Sequence, residues 1–199
     1  MSPEQTASTY NKIASHWDCP AFNRENGIKQ HERALQFLSG IGNALDIGCG
    51  SSGRIIDLLQ SRGFEVEGLD ISEEMLRRAR KHHPEVRFHF ADICAWEFVK
   101  RYDFISAWDS IWHVPLRRQL DVLWKVLDGL APGGVLIFTT GGVESPEEIT
   151  NPCFGQPLYH AAPGLPAILR AIAESGCRCR HLEYDQYPEN HVYIIAQKA

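Results

Sequence analysis

Residues 45–54 read LDIGCGSSGR, and their reading decides the fold. An apolar segment (Ala44, Leu45, Ile47) runs into a turn carrying Gly48, Gly50 and Gly53, and a helical pattern follows at once, with Ile55, Leu58 and Leu59 on one face. Glycines at such a turn let a ligand come close to the backbone, and the helix behind them offers free N–H groups and the positive end of its dipole. The stretch therefore reads as strand, ligand-binding turn and helix. The glycines alone leave the ligand open within the nucleotide-like class.

Downstream, strand and helix patterns alternate with short connections, the mark of a wound α/β sheet with parallel strands. Residues 44–48 form the first strand and 54–62 the first helix. Phe64 to Leu69 make a second strand ending at Asp70, and Ser72 caps a helix from Glu73 that turns Met75, Leu76 and Ala79 inward. Val86, Phe88 and Phe90 alternate as a third strand stopping at Ala91–Asp92, and a short helical turn is expected over 94–99. Residues 102–108 (YDFISAW) make the fourth strand. Leu116, Leu120, Leu123, Leu127 and Leu130 recur at helical spacing up to Pro132-Gly133-Gly134, before a fifth strand at 135–140.

Residues 141–164, rich in Gly and Pro with few periodic apolar residues, read as a long irregular excursion. A helix from Leu165 is stopped by Gly176, and 177–184 and 191–197 form a closing pair of strands. Their connection is only about six residues long, so they must be antiparallel, because a parallel crossover needs a dozen or more. Two helical patterns, 4–15 and 24–39, precede the first strand. They form either a cap over the ligand cleft or a layer packed on the sheet. The chain of 199 residues then reads as one domain, residues 1–43 being the helical cap and 44–199 the cofactor-binding α/β core.

Composition narrows the function. With 44% hydrophobic and 23% charged residues the chain is an ordinary folded protein, and a net charge of -5 opposes phosphate-driven binding to nucleic acid. The basic run Arg77, Arg78, Arg80 and Lys81 lies on a helix beside Glu73 and Glu74 and reads as a solvated face. No apolar run approaches the ~20 residues that span a bilayer, and the N-terminus lacks a signal-type core, so no membrane partner and a cytoplasmic location are expected. Six cysteines without a C-x-x-C pair and nine dispersed histidines give free thiols and no legible metal site.

The order of these signals resembles the seven-stranded, class I S-adenosylmethionine-dependent methyltransferase family, small-molecule type. LDIGCG (45–50) resembles its glycine-rich first motif, LDISEEML (69–76) its acidic second-strand motif, FADI (90–93) its adenine-side motif, and LAPGGVLIFTT (130–140) its helix-to-fifth-strand signature. Four such segments in order carry far more than one glycine motif. The resemblance implies a Rossmann-like three-layer sandwich whose mostly parallel seven-stranded sheet ends in an antiparallel hairpin. It also implies S-adenosylmethionine as cofactor and S-adenosylhomocysteine as product.

Each motif then has a chemical role. Asp70, about twenty residues past the glycines, suits a bidentate grip on the ribose hydroxyls. Asp92 and Ile93 fall where the family holds the adenine amino group and covers the ring. Gly48 and Gly50 bring the backbone to the methionine portion, and Asp46 either orders the turn or reaches the ammonium through water. Cys49, Ile71, Met75 and Trp108 complete the expected cofactor wall. The family's third glycine is replaced by Ser52, with Gly53 next, which puts the hold on the methionine end in question.

The fourth strand ends toward the donor methyl in this fold, so the acceptor is expected beside WDSIWHVP (108–115). An N-P-P-Y motif for exocyclic base nitrogens is absent, disfavouring that route. Trp108 and Trp112 supply apolar walls, and Asp109, Ser110 and His113 polar handles. His113 is either a general base for an O, N or S nucleophile or a structural histidine at a helix start. Tyr10, His16 and Trp17, with Tyr159 and His160, are expected to close over a small-molecule metabolite. A non-catalytic cofactor-binding or regulatory module stays open as an alternative. An NAD-dependent dehydrogenase fits poorly, since no substrate domain remains for it.

Overall fold

The computed structural model describes residues 1–199. Helix α1 (Pro3–Ile13), a 3-10 turn (Ala14–Trp17) and α2 (Ile28–Leu35) precede β1 (Asn43–Ile47), α3 (Arg54–Ser61), β2 (Glu65–Asp70), α4 (Glu73–His82) and β3 (Arg87–Phe90). Then come β4 (Tyr102–Ala107), α5 (Leu116–Asp128), β5 (Leu130–Gly141), β6 (Glu147–Cys153), β7 (Gln156–Ala162), α6 (Leu165–Glu174), β8 (Cys177–Tyr184) and β9 (His191–Lys198). Seven strands make one sheet in the order β3-β2-β1-β4-β5-β9-β8. The first five are parallel neighbours; β9 enters antiparallel between β5 and β8. This is the expected Rossmann-like sandwich closed by a hairpin.

Strand periodicity explains the three layers. Successive residues of β1 face opposite ways, so Leu45 and Ile47 pack with Val126, Leu127 and Ile168 from α5 and α6. Ala44 packs on the other face with Ile56 and Leu59 of α3 and Ala34 of α2. A strand buried on both faces reads as a nearly continuous apolar run, which is how β1 and β4 look in the sequence.

Two expectations are corrected. Residues 94–99 form no helix: Asp92 closes a tight turn instead, its Oδ1 accepting from the N–H of Cys94 at 2.8 Å and its carbonyl from those of Ala95 and Trp96. The excursion 141–164 holds an antiparallel hairpin, β6–β7, with Pro152 opposite Pro157. Its two-residue turn, Phe154-Gly155, has φ of 47° and 75°. Positive φ at both positions matches the twist of a tight hairpin. The pattern hid this because β6 is exposed along nearly its whole length and so lacks apolar alternation. Only β7 buries side chains, including Leu158, Ala161 and Ala162.

The N-terminal helices divide the two roles proposed for them. α1 rests on α4 and β7, whereas α2 packs on α3 and β5. His31 on α2 is fully buried, its Nδ1–H donating to the Gly27 carbonyl at 2.7 Å and its Nε2 accepting from the Ser106 hydroxyl of β4 at 3.0 Å. Burial holds its pKa down at about 4, so the ring is neutral and serves as a strut.

Candidate active site

Glycine conformation shapes the turn after β1. Gly48, Gly50 and Gly53 take φ of 69°, 60° and 67°, while Ser52 keeps negative φ. The left-handed step has therefore moved from position 52 to Gly53, which precedes the first residue of α3. A Cβ on Gly48 would lie 2.3 Å from that of Ser110, so β1 and the segment after β4 meet with no space for a side chain. A Cβ on Gly50 would meet nothing within 4 Å: it faces open space.

That space is a cleft of about 1000 Å³, partly open to solvent, across the C-terminal ends of β1, β2 and β4. In an open α/β sheet ligands settle at this edge. Of the residues expected to hold the cofactor, Gly48, Cys49, Gly50 and Ser52 line it from the turn. Asp70, Ile71 and Met75 line it from β2 and α4, and Asp92, Ile93 and Trp108 from the segments after β3 and β4. Asp46 does not. It is buried among β1's neighbours, and burial raises its carboxyl to about 7, against the opposing effect of the Ser106 hydroxyl.

Asp70 is the pivot of the cleft. Its Oδ2 accepts from the Gly50 N–H at 2.9 Å and its Oδ1 from the Ser72 N–H at 2.8 Å, so the carboxylate ties the glycine turn to the start of α4. Burial raises its pKa to about 6, with those backbone donors opposing. Each oxygen keeps a second acceptor site.

Sequence reasoning passed over three side chains here. Arg54, the last residue of the opening stretch, lines the cleft; its Nε donates to the Asn26 carbonyl at 2.8 Å and a terminal nitrogen to Ser52 Oγ at 3.2 Å. Its guanidinium lies 5.1 Å from the centre of the Phe22 ring. A cation beside a glycine turn at a helix start was a readable signal. Ser51 also lines the cleft and, like the expected Ser110 and the indole nitrogen of Trp108, carries a buried polar atom without a partner. His191 lies behind Asp109, far along the chain, with no local signal.

The acceptor side is less simple than expected. Tyr10, Trp17, Asp109 and His113 line the cleft. His16 instead stacks on Phe154, ring centres 3.7 Å apart, and borders an outer groove. Trp112 and His160 pack around His113 away from the lining, their centres 5.6 Å apart. Tyr159 turns its ring away: its hydroxyl donates to Glu148 at 2.6 Å and accepts from the Leu116 N–H. Its contribution is the carbonyl, which lies 2.6 Å from His113 Nδ1. His113 Nε2 lies 2.7 Å from the Tyr10 hydroxyl and 3.0 Å from the Trp112 indole nitrogen. Burial pushes its pKa down to about 3.

The orphaned Ser51 and Ser110 hydroxyls, the left-handed glycine at the open wall and the carboxylates of Asp70 and Asp92 fit a nucleoside with a zwitterionic tail. Residues 44–134 match a family described as a methyltransferase domain. Trans-aconitate 2-methyltransferase of Rhizobium leguminosarum is 33% identical over 116 residues, 58% of this chain and 43% of that protein. Malonyl-[acyl-carrier protein] O-methyltransferase of Salmonella typhimurium is 32% identical over 147 residues, 70% of this chain and 55% of that protein. The chain spans about half the length of the curated relatives it matches. In fold, an S-adenosylmethionine-dependent methyltransferase from Clostridium acetobutylicum superposes with a TM-score of 0.75 at 15% identity, over 96% of this chain and 99% of that one. Residues 44–134, a little under half of the chain, thus match the methyltransferase-domain family, and nearly the whole chain shares the fold of that S-adenosylmethionine-dependent methyltransferase.

Proposed function

We propose that this chain transfers a methyl group from S-adenosylmethionine to an O, N or S nucleophile of a small molecule. The observation that carries the reading is the convergence of the glycine turn, Asp70 and Asp92 on one cleft. Bound there, the cofactor supplies an electrophilic sulfonium methyl group.

The chain's own residues bind and orient. Asp70 would hold the ribose hydroxyls through the acceptor sites left beside Gly50 and Ser72, and Asp92 would hold the adenine amino group. Ile71, Met75 and Ile93 wall the ring. Arg54, Ser51 and Ser110 hold the methionine end, which answers the missing third glycine with a cation and two hydroxyls. Methyl transfer between aligned groups draws much of its rate from proximity and exclusion of water. Within the N-terminal segment, α1 and the turn behind it supply that exclusion as a cap, meeting the β6–β7 hairpin at His16 and Phe154.

His113 is assigned to orientation rather than base catalysis. Its Nε2 lone pair faces the Tyr10 hydroxyl and the Trp112 N–H, and no free site is left to take a substrate proton. Titration calorimetry tests the cofactor reading: S-adenosylmethionine and S-adenosylhomocysteine should bind and NAD should not. A protein that binds NAD alone would sink it. Release of S-adenosylhomocysteine in the presence of acceptor separates an enzyme from a binding module.

A further inference from the structure

The hydrogen positions around His113 are set by its neighbours. The Tyr159 carbonyl, 2.6 Å from Nδ1, accepts only, so Nδ1 carries the proton. The Trp112 indole nitrogen donates only, so Nε2, 3.0 Å away, is bare. The opposite tautomer would set two lone pairs against each other at Tyr159 and two hydrogens against each other at Trp112. With Nε2 bare, the Tyr10 hydroxyl at 2.7 Å must spend its hydrogen on the imidazole. Tyr10 lines the cleft, and what its oxygen has left to offer there is lone pairs alone.

The remaining charges lean the same way. With Asp70 and Asp92 given to the cofactor, Asp109 is the carboxylate left on the cleft wall, against the single guanidinium of Arg54. Arg54 is engaged at the glycine turn by Asn26 and Ser52, not at the Tyr10 wall. Asp109 Oδ1 accepts from His191, and Oδ2 accepts from Asn26 at 3.3 Å, so this side chain also presents only acceptor capacity.

Resting on the cofactor reading above, we infer that the methyl acceptor is a proton-bearing nitrogen or oxygen, an amine or hydroxyl in a neutral or cationic molecule, and not a carboxylate. Its N–H or O–H donates to Tyr10 Oη, which turns the nucleophile's lone pair away from the tyrosine and toward the donor methyl. As the C–S bond breaks and the new N–C or O–C bond forms, the sulfonium charge passes to the product. The product then sheds its proton to solvent, since His113 has no vacancy for it. An ionised carboxylate brings no hydrogen and would set oxygen lone pairs against those of Tyr10. The curated relatives named for trans-aconitate and malonyl-[acyl-carrier protein] would then differ from this chain in the group they present.

Two measurements on the full chain test this. Long-range ¹H–¹⁵N spectra of histidine-labelled protein, with His113 assigned through His113→Gln, should show Nδ1 protonated and Nε2 bare between pH 6 and 8. A proton on Nε2 overturns the inference whatever the substrate. Incubation of a cell extract with methyl-labelled S-adenosylmethionine should give products whose label survives mild alkali. Label released as methanol marks a carboxylate ester and overturns the inference, and a chain that binds the cofactor yet labels nothing does so too. Tyr10→Phe should lower kcat/KM at least tenfold while shifting the affinity for S-adenosylhomocysteine less than twofold; unchanged turnover is the contrary result. Absence of cofactor binding in calorimetry would sink the parent reading instead, so the two failures are distinguishable.

Discussion

Asp109 and His191, 82 residues apart, are joined by a 3.0 Å hydrogen bond in which the ring Nε2–H donates to Oδ1. The other ring nitrogen donates to Asp185 at 2.5 Å, so the imidazole sits between two carboxylates and carries both protons. Asp109 has φ 50°, a left-handed conformation that costs a non-glycine residue roughly 1–3 kcal/mol. The ion trio, with Asn26 and Gln30 donating to its two carboxylates, holds that conformation at the edge of the cleft.

His191 should make stability depend on pH. Burial alone would lower its pKa, but Asp109 and Asp185 outweigh burial and raise it above 6.5. A folded pKa above the unfolded one gives stability that is full below pH 6.5 and lost as pH rises through the folded value. His191→Gln should destabilise by about 2 kcal/mol at pH 6 and by less at pH 9, read from urea denaturation at each pH. An equal loss at both would mean the imidazole is not charged.

Asp70 predicts a second pH effect of opposite sense for ligand and fold. Its pKa of about 6 lies above the unfolded value near 3.8, so its charged form is disfavoured and its contribution to stability falls as pH rises between them. Cofactor binding wants the carboxylate, so affinity should fall as pH drops below 6. Calorimetry from pH 5 to 8 checks this, with Asp46→Asn retaining the trend and Asp70→Asn abolishing it. Asp70→Asn should also weaken binding tenfold to a hundredfold, the worth of about 1.5–3 kcal/mol from charged hydrogen bonds.

The glycine turn offers a paired test. Gly48→Ala adds a Cβ 2.3 Å from Ser110 Cβ at φ 69°, and should cost about 3 kcal/mol of stability. Gly50→Ala adds a methyl to open space at φ 60°, and should cost about 1 kcal/mol while blocking the cofactor. Thermal melts and calorimetry separate the two. Equal melting temperatures would refute the packing argument.

The hairpin and the N-terminal segment should move together. Phe154→Ala removes the ring stacked on His16 and edge-on to Trp17 at 5.6 Å, so exchange at 10–17 and 155–162 should quicken. Bound cofactor and product should slow exchange in both segments of the unaltered chain. If neither segment responds, they are not a lid.

Much of the fold was legible because its signals are local. Glycines at 48, 50 and 53, the alternation in β2 and the spacing of leucines in α5 each act within a few residues. The β6–β7 hairpin escaped because its exposed strand has no apolar period and its Phe-Gly turn lacks the usual polar residue before glycine. Ten cofactor-side residues were found at the cleft because strand ends are sequence features. Asp46 missed it by strand parity: it falls one position from Leu45 and Ile47, on the face that turns toward α2 and α3.

By itself the sequence determined the sheet, its closing hairpin and the place of the glycine turn, since backbone conformation and burial period are written residue by residue. Only the tertiary structure decided what the acceptor side offers. Whether His113 is a base depends on Tyr10, Trp112 and Tyr159 surrounding it. Whether His191 matters depends on two carboxylates from separate loops. A proton's position follows from neighbours in space, and no spacing along the chain encodes them.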